Sequence, residues 1–284
     1  MTPSERRRHD FAREVATSYG TLPGVVAVAL AGSTTSGASD ADSDLDLYVY
    51  ATEPVDLASR RAIAARYATR SEIGNDAWEP GDEWIDALTG YKIDVIYRTP
   101  TWIEEQLERV LIRNQASVGY STTFWYNVLH SVPLVDPTGW YRQLQLSARR
   151  PYPEALKRAI VAKNWPLLRR AMSSYLSQIH LAVDRGDIVS VHHRVTALLS
   201  SVFDILFAVN ELPHPGEKRL LEFVTNGQLT CPPGMAGQID ALVRAEPGPA
   251  VLTHSTTLID SLDALLAETS LLPDDEQDPS QAVP

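Results

Sequence analysis

The sequence predicts an α+β protein, with a mixed sheet and its flanking helices first and an all-helical bundle after them. Three observations predict this. Short runs of β-branched and aromatic residues, at 25–30, 44–50 and 91–98, are confined to the first half. Helical periodicity takes over after Pro153, and strand signals disappear. Between the two regimes, Arg149-Arg150-Pro151-Tyr152-Pro153 reads as a linker, since proline supports neither a helix interior nor a sheet ladder. The expected divisions are a sheet domain over 1–148, a helical domain over 149–272, and an acidic, proline-bearing disordered tail over 273–284.

Taken in order, 4–18 reads as a helix, with Glu5 in its first turn and Phe11, Val15 and Ala16 as an apolar stripe. Pro23-Gly24 turns the chain into the first strand, and Gly32-Ser33 breaks it. The second strand places Leu45, Leu47 and Val49 on one face. Asp44 and Asp46 share the other, because side chains alternate along a strand. A helix is expected over 56–69, irregular chain over 73–83, a third strand carrying Asp94, and a helix over 102–113. Residues 121–134 are aromatic and mixed, and 140–146 a short helix. Beyond the linker, 154–184 is helical with a kink or restart at Pro166, and 188–210 is a strongly apolar, buried helix. Shorter helices follow over 217–226, 235–245 and 251–266.

Composition narrows the function. At 284 residues and 44% hydrophobic, the chain can bury one large or two modest cores. No apolar stretch approaches membrane-spanning length, and the start MTPSERRRHD lacks the hydrophobic region of a secretory signal. Cys231 stands alone, which rules out an internal disulfide and fits a reducing cytoplasm. A net charge of −11 argues against broad nucleic-acid binding and favours a cationic small molecule.

Two carboxylates side by side on a strand repel each other and resist desolvation. Asp44 and Asp46 therefore point to a divalent cation, and hard oxygen ligands on a rigid element suit Mg²⁺. The rival is a calcium loop over Asp40, Asp42, Asp44 and Asp46. Such a loop needs glycine at its sixth place and glutamate at its twelfth. Counted from Asp40, those places hold Leu45 and Ala51; counted from Asp42, Leu47 and Glu53.

Gly32-Ser33, a spacer, and Ser43-Asp44-Leu45-Asp46-Leu47, followed by Asp94 on a later strand, resemble the signature of the DNA polymerase β-like nucleotidyltransferase superfamily. Aminoglycoside and lincosamide nucleotidyltransferases belong to it. GYKIDVIYR (90–98) and FAVNELPHPGEKRLLE (207–222) are similar to a group within it that carries no assigned function. The resemblance implies a nucleotidyltransferase sheet domain followed by a helical one. It implies that Gly32, Ser33 and Ser43 hold the triphosphate of ATP or another NTP, and that Asp44, Asp46 and Asp94 bind metal, with two Mg²⁺ ions expected. The expected reaction moves NMP to a hydroxyl of a small-molecule acceptor, aminoglycoside-like ones included. A protein-modifying (AMPylating) enzyme, an antitoxin-like partner and an inactive nucleotide binder are the alternatives, and a homodimer is compatible with all of them.

Other residues invite a role. Lys218, with Arg219, follows Pro215-Gly216 at an expected helix start, where a cation opposes the macrodipole and suits a phosphate partner. Lys163 reads as exposed. His192 and His193, being adjacent on a helix, point apart and do not chelate one ion. Glu79, Asp82, Glu83, Trp78 and Trp84 offer charge and stacking for a cationic acceptor, against the plainer reading of a charged surface loop. Candidates for the general base include Asp94, Glu217 and Asp187.

Overall fold

The computed structural model describes residues 3–32, 44–77 and 79–273. The chain divides into two compact units. The first runs to Glu108 and resumes over 124–150; the second takes 109–123 and the chain from Pro151 onward.

The first unit contains α1 (Pro3–Gly20), β1 (Val25–Ala31), β2 (Leu45–Ala51), α2 (Leu57–Ala64), β3 (Ala68–Asn75), β4 (Gly81–Asp86) and β5 (Lys92–Arg98). It continues with α3 (Pro100–Leu111), α4 (Thr123–His130), β6 (Val132–Val135) and α5 (Trp140–Ala148), the ends of α3 and α4 reaching into the second unit. The strands form one mixed sheet in the order β3-β4-β5-β2-β1-β6. β2 and β5 pair in parallel, and the other neighbours are antiparallel.

Alternation decides the faces. Val28, Leu30, Leu47, Val49, Ile93 and Val95 pack with Ala12, Val15, Ala16 and Tyr19 of α1 in one buried core. On the opposite face, Tyr50 meets Trp140 and Tyr141 of α5 at ring-centroid distances of 5.3 and 5.1 Å. Arg98 lies over Tyr48 at 4.4 Å. Aromatic side chains thus cover one end of this second face. At its other end Asp46, Glu83 and Asp94 are only partly buried and Lys92 is exposed.

Three strands depart from the sequence expectation. β3 begins at Ala68, where a helix was expected to run to Thr69, and β4 occupies chain expected to be partly irregular. β3 is an edge strand with mostly exposed residues, so it carries no apolar alternation to read. In β4 the core face is Asp82, Trp84 and Asp86, all buried. Asp82 is satisfied there by Arg60 Nε at 3.0 Å, Tyr97 Oη at 2.6 Å and the Gly74 N–H at 2.8 Å. β6, short and proline-bearing, pairs with β1.

The second unit is helical: α6 (Glu154–Arg169), α7 (Tyr175–Asp184), α8 (Ile188–Val209), α9 (Leu220–Thr225), α10 (Met235–Arg244) and α11 (Pro249–Glu268). Leu198, Val202, Ile205 and Leu206 of α8 are buried in one core with Leu168, Ile179, Leu258 and Leu262. α6 passes through Pro166 to Arg169. Buried polar groups hold the 109–123 segment to this unit. Asp204 accepts from Ser121 N at 2.9 Å, Ser121 Oγ at 2.7 Å and Asn164 Nδ2 at 3.2 Å. Gly119 N–H donates to Asn164 Oδ1 at 3.0 Å. Burial pushes the Asp204 carboxyl up to about 6. His214, fully buried, accepts the Gly216 N–H at Nδ1 (3.1 Å), and burial holds its imidazole down at about 4. Among the described residues no helix is long and apolar enough to cross a membrane.

Candidate active site

The site is built on the open end of the sheet's second face. Asp46 on β2 stands directly opposite Asp94 on β5, and Asp94 stands opposite Glu83 on β4. Neighbouring strands lie about 4.8 Å apart, so these side chains rise from one face as a row. Asp44, two residues ahead of Asp46 and just before β2, belongs to the same face. The pairing of β2 with β5 brings together two aspartates that are far apart in sequence.

Gly32 ends β1 beside this row, next to Ala31, the partner of Asp46. Its φ is 73°, and a Cβ added there would stand 2.7 Å from Asp46 Cγ and 3.2 Å from its Cβ. Only glycine lets the chain turn in the left-handed region while the Asp46 carboxylate packs against it. The glycine and the second aspartate of the motif are therefore in direct contact.

Lys92 completes the group. It sits two residues before Asp94, hence on the same face, and donates from Nζ to Asp44 Oδ2 at 3.2 Å. Glu83 Oε2 lies 3.6 Å from the same ammonium. Partial burial would lower its pKa, but the Asp44 hydrogen bond and the charges of Asp44, Glu83 and Asp94 outweigh it and hold the pKa above the usual lysine range. Sequence reasoning missed Lys92, although its place two residues before Asp94 could have found it. A cleft of about 170 Å³ adjoins the row and includes Arg70, Glu72, Glu83 and Lys92 in its lining.

Residues 11–117, which hold Asp44, Asp46 and Asp94, match the family described as "Nucleotidyltransferase domain". The chain thus carries a stretch similar to nucleotidyltransferase domains, and the three aspartates lie within it. Three solved structures are similar in shape at low identity. A nucleotidyltransferase-like protein from Exiguobacterium sibiricum is 11% identical with a TM-score of 0.45, over 93% of this chain and 76% of that one. The Thermotoga maritima CCA-adding enzyme complexed with tRNA is 13% identical with a TM-score of 0.36, over 95% and 70%. A CCA-adding enzyme in its apo form is 13% identical with a TM-score of 0.35, over 93% and 69%. No curated protein matches this chain in sequence.

The other expected residues fall as follows. Ser33, Ser43 and Trp78 lie outside the described residues. Lys218 is exposed in the turn before α9 in the second unit, as are Glu217 in that turn and Asp187, which caps α8 by accepting from Ser190 N–H. Lys163, His192 and His193 are exposed. The loop expected to greet a cationic acceptor is corrected. Trp84 is buried in the core, Asp82 is enclosed with Arg60 and Tyr97, and Glu79 is paired with Arg98 at 2.7 Å. Of the described residues in that set, only Glu83 is on the open face beside Asp94.

The donor chemistry fits a hard divalent cation, since Asp44, Asp46 and Asp94 are oxygen ligands on adjacent rigid strands. Among the described residues no three acidic, histidine or cysteine side chains converge as they would around a bound ion.

Proposed function

We propose that this protein moves NMP from ATP or another NTP to a hydroxyl of a small-molecule acceptor, with pyrophosphate released. The reading rests above all on the register of Asp46 against Asp94, with Asp44 on the same face. Two Mg²⁺ ions held by these carboxylates would neutralise charge on the attacking and leaving oxygens.

The chain's own residues do the rest. Gly32, with no side chain, gives the nucleotide's phosphates access to backbone N–H groups, and the hydroxyls of Ser33 and Ser43 donate to them. Lys218 is the cation assigned to the triphosphate. Asp94 and its neighbour Glu83 are the groups on this face able to take the acceptor proton. The acceptor oxygen attacks the α-phosphorus, the bond to the bridging oxygen breaks, and the proton passes to the carboxylate. A net charge of −11 supports a small, amine-bearing acceptor, aminoglycoside-like ones included. A cytoplasmic setting belongs to the same reading.

The test is to incubate the protein with each α-labelled NTP and Mg²⁺ against a panel of amine-bearing small molecules, proteins and RNA. The reading expects label on a small molecule and none without a divalent cation. Label on RNA or protein alone would overturn the acceptor class.

A further inference from the structure

The carboxylates of the open face pose an electrostatic problem. Glu72, Glu83, Asp94 and Asp46 are successive cross-strand partners on β3, β4, β5 and β2. Like charges directly opposite each other destabilise a sheet. Asp44 adds another on the same face. Two cations are interleaved with this row. Arg70 pairs with Glu72 at the sheet edge at 3.2 Å, and Lys92 pairs with Asp44 at 3.2 Å and Glu83 at 3.6 Å. Lys92 therefore stands where the acids assigned to the metal most need positive charge.

We infer that Lys92 is a tethered counter-cation, whose ammonium holds the acids together in the free protein and is displaced when a divalent cation binds. Three observations carry this. Lys92 touches Asp44, one of the carboxylates assigned to the metal, and bridges it to Glu83. Its side chain is 44% exposed, so the four-carbon stem can swing the ammonium into water without disturbing the core. The described carboxylates do not converge on one point, but are arranged with Lys92 among them. A divalent cation on this face makes the ammonium's charge redundant and then repulsive. Lys92 thus sets how tightly the free protein takes metal and keeps the acid face stable without it. A surface ion pair with no such role would contribute only a little stability.

The inference rests on the metal reading, and the experiment separates the two. Mn²⁺ binding, followed by electron paramagnetic resonance of the free ion, is measured at one fixed pH without nucleotide. The proteins are wild type, Lys92→Met, Lys92→Gln, Lys92→Arg and Asp46→Asn. Removing one unit charge from beside a dication in a largely aqueous setting should tighten binding by about tenfold in Lys92→Met and Lys92→Gln. Lys92→Arg should stay near wild type. The neutral variants should also melt lower without metal and gain more from Mn²⁺ than wild type does. Equal or weaker Mn²⁺ affinity in both neutral variants, with wild-type circular dichroism, would overturn the role of Lys92. The metal reading fails on a different arm, if Asp46→Asn binds Mn²⁺ as wild type does or if no protein in the set binds it.

Discussion

Gly32→Ala is expected to damage the site more than the fold, and Gly90→Ala provides the control. Both glycines have φ of 73°. An alanine at either must adopt the left-handed region, at about 1–2 kcal/mol. Nothing lies within 4 Å of a Cβ at Gly90, so that cost should be the whole effect there. At Gly32 the added carbon stands 2.7 Å from Asp46 Cγ and 3.2 Å from its Cβ. Turning the carboxylate aside relieves the first contact cheaply, while the second requires a few tenths of an ångström from the backbone. Gly32→Ala should then lose about 1–3 kcal/mol in all, modest overpacking being added to the backbone term. Transfer should fall much further, since a displacement near 1 Å of a reacting group can cost about a hundredfold. Urea unfolding and the rate of α-labelled NMP transfer are measured on both variants. Equal stability losses with transfer intact in Gly32→Ala would refute the contact between the motif's glycine and Asp46.

Other predictions concern the second unit and the join. Asp204, raised to about 6 from the ordinary 3.8, keeps its proton longer in the folded state, so its contribution to stability is lost as pH rises from about 4 to 6. His214, lowered to about 4 from the ordinary 6.5, does the reverse, and its contribution is lost as pH falls from about 6.5 to 4. Each window is worth about 3 kcal/mol and the two oppose. Asp204→Asn should therefore show stability that rises with pH from 4 to 6.5 more steeply than wild type, and His214→Phe stability that falls. Parallel pH profiles by chemical unfolding would contradict both assignments. Lys218→Ala should weaken NTP binding by about 1.5–3 kcal/mol, as for a lost charge-assisted hydrogen bond, with metal binding unchanged; equal calorimetric affinities would return Lys218 to plain surface. Trypsin should cut first after Arg149, which is exposed, because Pro151 protects the bond after Arg150. Early cleavage inside α6 instead would contradict the linker.

What was legible in the sequence follows from how locally each feature is determined. β1, β2 and β5 carry β-branched runs or clean alternation because one face of each is buried over most of its length, and β2 and β5 carry Asp46 and Asp94. α8 is legible from the apolar run of its C-terminal half, where residues 201–208 are all buried. β3 and β4 were not legible. An exposed edge strand has no apolar face, and the buried carboxylates of Asp82 and Asp86 look like surface until their partners are known. Asp82 depends on Arg60 and Tyr97, neither adjacent in sequence. The motif named Asp44, Asp46 and Asp94, but the pairing of Asp46 with Asp94 and the reach of Lys92 to Asp44 depend on the parallel register of two distant strands. That register is a tertiary fact. The segment 109–123 went with the first unit in sequence order, yet its buried polar partners Asn164 and Asp204 lie in the second.

The most direct test of the account is the transfer rate of Asp46→Asn against wild type. Both are given saturating Mg²⁺, an α-labelled NTP and the acceptor that the panel identifies. Asp46→Asn keeps the shape of the side chain and removes the charge that pairs in register with Asp94. The account predicts an unchanged circular dichroism spectrum and a rate at least about a thousandfold lower, since several kcal/mol of transition-state charge stabilisation depend on the metal carboxylates. Transfer at close to the wild-type rate, with the same Mg²⁺ dependence, would contradict the assignment of this face as the catalytic site.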